Sequence, residues 1–142
     1  MNIYEDKKKF LKYLEENNLT SYMNNTKWNE FVNAMNNEIS FQPPYDIKYL
    51  DQPSEDYLIN AIKNQTIYHE DYYDNETFTP DYYKFIEWVK IYPRYWEKVG
   101  GQLIYKKILH DCEKELIQIL EKYHIPFEYD TQYGIYTIYG YK

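Results

Sequence analysis

The strongest apolar pattern in the chain is the run FIEWVKIY at residues 85–92, which Pro93 ends. Its aromatic and β-branched residues favour a buried strand. Because successive side chains of a strand point to opposite faces, apolar residues cover both faces of this run. An edge strand is usually blunted by charge or proline, and Pro93 comes only after the run. We therefore predict that residues 85–92 form the central strand of a sheet.

Helical spacing of apolar residues predicts two helices before this strand. The first covers residues 4–17, with Phe10, Leu11 and Leu14 on its apolar face. The second begins at Thr26, whose hydroxyl suits an N-cap, and ends near Asn37. The apolar face of this second helix consists of Trp28, Phe31, Val32 and Met35.

After the central strand, the glycine pair at residues 100–101 precedes the longest predicted helix, at about residues 102–123. Pro126 prevents its continuation. Its predicted apolar stripe comprises Tyr105, Ile108, Leu109, Cys112, Leu116, Ile119, Leu120 and Tyr123.

Shorter patterns complete the prediction. Residues 45–50 and 66–73 favour strands, residues 57–62 a short helix or turn, and residues 127–131 with 135–141 a terminal hairpin. The order of elements predicts an α+β fold in a single domain of residues 1–142, with residues 1–22 as a helical N-terminal extension. Its sheet should be mainly antiparallel, with the long helix in the C-terminal half and two N-terminal helices packed on it.

The formal net charge of −7 is concentrated in one part of the chain. Residues 51–83 contain eight acidic residues and one basic residue, whereas the rest contains 15 of each. The chain also contains 20 tyrosines, a number that AT-rich codons explain more readily than function does. Its single cysteine, Cys112, cannot form an internal disulfide, which favours a reducing cytoplasm. No apolar run is long enough to span a bilayer.

Three pieces of the sequence resemble a known family. They are MNNTKW at residues 23–28, IEWVKI at 86–91, and IPF at 125–127 followed by IYTIYGY at 135–141. Together they resemble the signature pieces of a family of small bacterial proteins classed as a domain of unknown function. The resemblance covers about residues 23–141 and implies a single bacterial domain. It brings no catalytic residues.

Candidates for chemistry are few. On a strand only His69 and Asp71 of the group His69-Glu70-Asp71 share a face, and two ligands do not make a metal site. His110 and Glu113 would share one helical face, which favours solvent exposure over a metal role. Cys112 lies on the apolar stripe, as packing cysteines do. His124 at the end of the long helix suits its dipole.

No phosphate-binding loop follows the glycine pair, and the basic run at residues 7–9 is outweighed by acids, which argues against nucleic-acid binding. We therefore predict no catalytic residue, metal, cofactor or membrane contact.

The remaining feature is an acidic, tyrosine-rich stretch at residues 66–83 that has no lysine or arginine. Tyrosine offers rigid contact area, and acidic groups attract a basic partner. The predicted binding residues are Tyr68, Glu70, Asp71, Tyr72, Tyr73, Asp74, Glu76, Asp81, Tyr82 and Tyr83. We interpret the protein as a non-enzymatic cytoplasmic binding protein, specifically an immunity-type inhibitor of a basic toxin or nuclease. The alternatives are a solvated acidic loop and a small metal- or carboxylate-dependent hydrolase that uses His69 and nearby acids.

Overall fold

The computed structural model describes residues 2–142. The helices of this part of the chain are α1 (Lys7–Glu16), α2 (Asn25–Asn37), α3 (Tyr57–Lys63) and α4 (Glu113–Lys122), with a 3₁₀-helix at Pro80–Phe85. The strands are β1 (Tyr45–Tyr49), β2 (Ile86–Ile91), β3 (Arg94–Gly100), β4 (Tyr105–Asp111), β5 (Glu128–Asp130) and β6 (Ile135–Tyr139). The predicted α+β class is therefore confirmed.

Four strands form an antiparallel sheet in the order β1-β2-β6-β5, and β3 and β4 form a separate antiparallel pair. The predicted central position of β2 is confirmed, because β1 and β6 flank it. Val89 lies opposite Ile47 on one side and Ile138 on the other. The predicted strand at residues 45–50 and the terminal hairpin are confirmed as β1 and as β5 with β6.

One face of the sheet packs against α2 and α4 in the main hydrophobic core. Trp28, Phe31 and Met35 of α2 are buried there, as their helical spacing predicted. The N-cap of α2 is Asn24 rather than Thr26, because the Asn24 Oδ1 accepts a hydrogen bond of 2.8 Å from the Lys27 amide. Burial of this apolar face, more than helix propensity, holds α2 in place.

The first helix, α1, packs on the other elements through one edge of its surface. The Phe10 ring meets Phe85 edge-on with 5.2 Å between centroids, and Tyr13 and Leu14 are partly buried beside it. Leu11, predicted on the apolar face, is 52% exposed. The apolar face of α1 therefore runs through positions 10, 13 and 14.

The long helix predicted at residues 102–123 is wrong in its first half. Residues 105–111 form β4, which pairs with β3, and only residues 113–122 are helical. Arg94 fixes the boundary, since its guanidinium bonds Asp111 at 2.9 Å and Glu113 at 3.1 Å. The Asp111 Oδ1 also accepts from the Glu113 amide at 2.8 Å, which satisfies a free N–H at the start of α4.

This correction changes the environment of three of the eight residues in the predicted stripe. Tyr105, Ile108 and Leu109 are exposed on the β3–β4 hairpin, whereas Cys112, Leu116 and Leu120 are buried. Leu103 at the hairpin tip is 97% exposed. The glycine pair ends β3 and begins the hairpin turn, and Gly100 has a φ of +119°.

The strand predicted at residues 66–73 is also wrong. The segment is irregular, and the Ile67 carbonyl accepts a 2.9 Å hydrogen bond from the Trp96 amide of β3. Its path follows the burial of Ile67 and Tyr73, which pack in two different apolar clusters.

No helix among the described residues combines the length and the apolar character that crossing a bilayer requires.

The three sequence pieces that carry the family resemblance meet at Gly140. Gly140 belongs to the C-terminal piece, and it contacts the piece at residues 86–91 and Trp28 of the piece at residues 23–28. The Gly140 amide donates to the Glu87 carbonyl at 2.8 Å, and its carbonyl accepts from the Tyr22 amide at 2.9 Å. A side chain at position 140 would overlap the backbone carbonyl oxygen of Ile86 and approach the Trp28 ring. Only glycine therefore permits this close backbone contact.

We expect Gly140→Ala to reduce the free energy of unfolding by more than about 2 kcal/mol, because the added methyl group meets backbone rather than a movable side chain. Chemical denaturation measures the loss. The control is Gly101→Ala, where the nearest atom would lie 3.9 Å away, and its expected effect is within about 0.5 kcal/mol. Equal effects at the two positions would contradict the proposed close contact.

Candidate binding surface

Two of the ten predicted binding residues belong to the core. Tyr73 is 2% exposed, its ring stacks on Phe78, and its hydroxyl donates to the Pro43 carbonyl at 2.9 Å. Burial raises the pKa of Tyr73 well above its ordinary value. Tyr83 is buried as well. These two side chains anchor the acidic stretch and offer no area to a partner.

A third predicted residue, Tyr68, lies against the β3–β4 hairpin. The ammonium groups of Lys98 and Lys107 lie 4.5 Å and 5.6 Å from the centroid of its ring. These lysines face each other across the two strands, and like charges in this arrangement repel. The Tyr68 ring faces both charges and stabilises them by cation–π contact.

Two of the predicted acids hold the backbone of the stretch in position. The Glu70 Oε2 accepts a 3.0 Å hydrogen bond from the Gln42 amide. The Asp74 Oδ1 accepts hydrogen bonds from the Glu76 and Thr77 amides at 3.2 Å and 2.9 Å. Asp74 thus closes a turn by the usual aspartate mechanism.

The other predicted residues remain available at the surface. Tyr72 is 70% exposed, Tyr82 is 46% exposed, and Glu76 and Asp81 are exposed. Asp71 is partly buried, and its Oδ1 accepts from the Tyr72 amide at 2.9 Å. The ten residues therefore do not form one continuous face, and only part of them can meet a partner.

A hollow of about 400 Å³ lies along β1, at the end of the four-stranded sheet. Asp71 lines it together with Asp46 of β1 and Glu55 from the loop before α3. The aromatic side chains of Tyr45, Tyr49 and Trp88 also line it.

A second hollow of about 360 Å³ adjoins the first, and the two share Tyr49 and Gln52. Tyr4, Glu76 and Tyr82 contribute to its lining. We call the two hollows together the acidic surface. Its carboxylates are Asp46, Glu55, Asp71 and Glu76, and no lysine or arginine lines either hollow.

Burial and neighbouring charge determine the electrostatics of this surface. Burial raises the pKa of Asp46, and the hydrogen bond from the Leu58 amide lowers it. Among the neighbouring charges, those of Asp56 and Glu55 raise this pKa and that of Lys90 lowers it. The bond from the Leu58 amide is 2.8 Å long and ties the first turn of α3 to β1. Burial also raises the pKa of Tyr49 to about 12, so its hydroxyl stays neutral. The negative charge of the surface therefore comes from carboxylates alone.

Sequence reasoning missed Asp46, Glu55, Tyr49 and Trp88 as members of this surface. The excess of acidic residues at 51–83 gave a signal for Glu55. Nothing in the sequence marked Asp46, which pairs with Lys90 across the sheet and lies in a stretch of alternating residues typical of an ordinary strand.

The other candidates for chemistry are dispersed. The His69 Nδ1 lies 2.7 Å from the backbone carbonyl of the next residue, and His110 lies on β4, where its Nε2 is 2.7 Å from Glu97. The predicted helical pairing of His110 with Glu113 is therefore wrong. Among residues 2–142, no three His, Cys, Asp or Glu side chains are close enough to hold a metal ion.

Cys112 is buried immediately before α4. Burial, followed by the charges of Glu115 and Asp111, raises the pKa of its thiol to about 12. A neutral, enclosed thiol is a poor nucleophile. His124 follows α4 in the left-handed conformation, with a φ of +54°, as residues beyond a helix C-terminus often do.

A family model described as "Family of unknown function (DUF6678)" matches residues 10–142. The chain belongs to this family. The match begins within α1, upstream of the region expected from the three sequence pieces, so it includes most of that helix. No curated protein and no solved structure is significantly similar to this chain.

The raised pKa of Asp46 predicts a pH dependence of stability. Because the carboxyl binds its proton more tightly in the folded state, the folded protein loses stability as pH rises from about 3.9, the unfolded value, through the higher folded value. Asp46→Asn removes this loss and keeps an oxygen that can accept from the Leu58 amide. The stability of the variant relative to the natural protein should therefore increase across that pH window.

Chemical denaturation between pH 3 and pH 7 measures this difference. Asp46→Ala is the control, because it also removes the acceptor and should lie about 1–2 kcal/mol below Asp46→Asn at every pH. A difference between the natural protein and Asp46→Asn that does not change with pH would refute the prediction.

Proposed function

We propose that the protein is a non-enzymatic binding protein, specifically an immunity-type inhibitor that covers a basic surface of a toxin or nuclease. The observation that carries the proposal is the composition of the acidic surface. Four carboxylates and several aromatic rings line two adjoining hollows, and neither hollow is lined by lysine or arginine. Carboxylates would attract a basic partner, and aromatic rings would supply contact area at the centre of the interface.

The arrangement of charge along the chain supports this proposal. Residues 51–83 carry the charge excess, and folding adds Asp46 of β1 to the side chains that this segment brings together. Concentrated like charge destabilises a folded chain by repulsion. A binding role for the acidic surface accounts for this arrangement, since the same field accelerates association with a basic protein.

The cellular setting is part of the same proposal. We place the protein in the bacterial cytoplasm, because its single thiol is buried and unpaired and therefore suits a reducing compartment. A toxin acting in that compartment would be met by an inhibitor already present. The natural candidate for the partner is the product of the gene next to the one that encodes this chain.

The charge of the acidic surface should control association. Replacing Glu55, Asp71 and Glu76 together by lysine should slow association with the purified product of the neighbouring gene ~10-fold or more at low salt. The difference should shrink as salt rises, because counter-ions screen exposed charges. Surface-binding kinetics across a salt series measures both rates.

The matched control makes the same change of charge elsewhere, on α1 and α4, by replacing Glu15, Glu16 and Glu121 with lysine. These residues are exposed and line neither hollow of the acidic surface. We expect the control to alter association much less. If both triple variants slow association equally, the effect comes from net charge and not from the acidic surface. If neither variant changes the association rate, the acidic surface is not part of the interface.

Truncation of neighbouring tyrosines should separate binding from folding. Tyr72→Ala removes an exposed ring, so it should leave stability within about 0.5 kcal/mol and accelerate dissociation by up to about 30-fold if the ring is a hot spot worth about 2 kcal/mol. Tyr73→Ala removes a stacked core ring and should cost about 3–5 kcal/mol of folding stability. Denaturation and dissociation kinetics distinguish the two, and a stable Tyr73→Ala variant would contradict its assignment to the core.

A further inference from the structure

The outer edge of β1 carries backbone groups that no described strand meets, because β1 is the last strand on its side of the sheet. The Tyr92 amide donates to the Pro44 carbonyl at 2.9 Å. This bond shows which residues of β1 direct their backbone groups toward β2 and which direct them away from it. In an antiparallel pair, every second residue directs its N–H and C=O toward the partner strand. Asp46 and Lys48 therefore bond to β2.

The residues between them direct their backbone groups the other way. Tyr45 lies opposite Ile91 and Ile47 lies opposite Val89, but these two are non-hydrogen-bonded pairs of the ladder. The backbone N–H and C=O groups of Tyr45 and Ile47 therefore point away from β2. The same alternation follows from the opposite side of β2, where the Gly140 amide bonds the Glu87 carbonyl. Two donors and two acceptors thus lie in a row along the edge.

The two residues that carry this row are also lining residues of the first hollow of the acidic surface. Tyr45 and Ile47 line that hollow together with Pro53 of the loop before α3, and with Asp71. Pro43 and Pro44 precede the strand, and the Gln52 amide bonds the Tyr49 carbonyl at 3.2 Å beyond it. The open edge is therefore short and has defined ends, which suits a segment of about three or four extended residues.

The acids beside the edge lie toward both faces of β1. The Asp46 carboxyl accepts a hydrogen bond from the Leu58 amide, close to Glu55 in the chain. The Tyr45 hydroxyl donates to the carbonyl of Tyr72, the residue after Asp71, at 2.8 Å. Asp46 and Tyr45 are consecutive residues of a strand, so their side chains point to opposite faces. A strand added to this edge would present its own consecutive side chains to Glu55 on one face and to Asp71 on the other.

We propose that the outer edge of β1 accepts an extended segment of the basic partner as an additional strand, with two consecutive basic residues directed at Glu55 and Asp71. The inference rests on the proposed function and specifies the conformation that the partner presents. Strand addition to an open sheet edge is a recurring mode of peptide recognition, in which backbone hydrogen bonds supply affinity and side chains supply specificity. A second copy of this chain would bring the same acids to the same edge, and like charge opposes such pairing.

Two synthetic peptides test the inference. Both have the sequence TVKRVT with acetylated and amidated ends, and one of them is N-methylated at alternate backbone positions. The methylated peptide keeps the charge and loses the donors that strand pairing needs. At low salt we expect the unmethylated peptide to bind at least tenfold more tightly, and amide hydrogen exchange of Tyr45 and Ile47 to slow on binding. Equal affinity of the two peptides, or unchanged exchange at both residues, overturns the inference.

A charge variant tests the two acids separately from the backbone. Glu55→Gln combined with Asp71→Asn should weaken binding of the unmethylated peptide at least fivefold, whereas the control Glu15→Gln with Glu121→Gln should leave it unchanged. Equal affinity of these two variants would overturn the role of Glu55 and Asp71.

The outcomes also separate this inference from the function on which it rests. If the neighbouring gene product binds and charge reversal slows it, but the amides of Tyr45 and Ile47 exchange equally fast in that complex, strand addition is overturned and the proposed function stands. If that gene product does not bind and the two peptides differ as expected, the open edge is confirmed as a peptide site and the proposed immunity function fails.

Discussion

The fold depends on one close backbone approach, that of Gly140 to the carbonyl of Ile86. The last residues of the chain can follow β2 at this distance only because position 140 has no side chain. Trp28 packs beside the same glycine, so the start of α2 is held against the end of β6. Lys27 adds a bond from its ammonium group to the His124 carbonyl beyond α4, at 2.7 Å. These contacts fix the start of α2 relative to both the sheet and the end of α4.

The acidic stretch at residues 66–83 runs over the surface of this core, and two kinds of interaction hold its backbone in place. Tyr73 and Tyr83 bury their rings, while Glu70 and Asp74 bond backbone amides near them. The stretch is therefore irregular in hydrogen bonding but fixed in position. Exposed carboxylates such as Glu76 are presented on a supported backbone, which reduces the ordering entropy that a partner must overcome on binding.

Acidic and basic side chains are concentrated in different parts of the molecule, although Lys48 of β1 pairs with Glu87 and Lys90 of β2 lies opposite Asp46. The acidic surface lies at the β1 end of the sheet, and Lys98, Lys106 and Lys107 lie on the β3–β4 hairpin. Tyr68 is where the two parts meet, since it belongs to the acidic stretch and faces two of these lysines. The formal net charge of −7 therefore does not describe either part by itself.

The sequence by itself determined the elements whose signal is local and whose apolar side is buried where the pattern occurs. It predicted α2, the central strand β2, a strand at the position of β1 and the terminal hairpin. It failed at residues 105–111, because Tyr105, Ile108 and Leu109 have helical spacing but are exposed, and pairing with β3 outweighed the pattern. It also failed at Tyr73, which was predicted to be exposed and is buried. A tyrosine can be buried when its hydroxyl has a hydrogen-bond acceptor, which here is the Pro43 carbonyl.

Only the tertiary structure decided the composition of the acidic surface. Asp46, Glu55, Asp71 and Glu76 are spread from position 46 to position 76 of the chain, and their proximity depends on where β1, the loop before α3 and the acidic stretch meet. Composition could indicate a negative region, but it could not separate the tyrosines that face solvent from those that hold the core. That division is made by long-range packing, which no local pattern encodes.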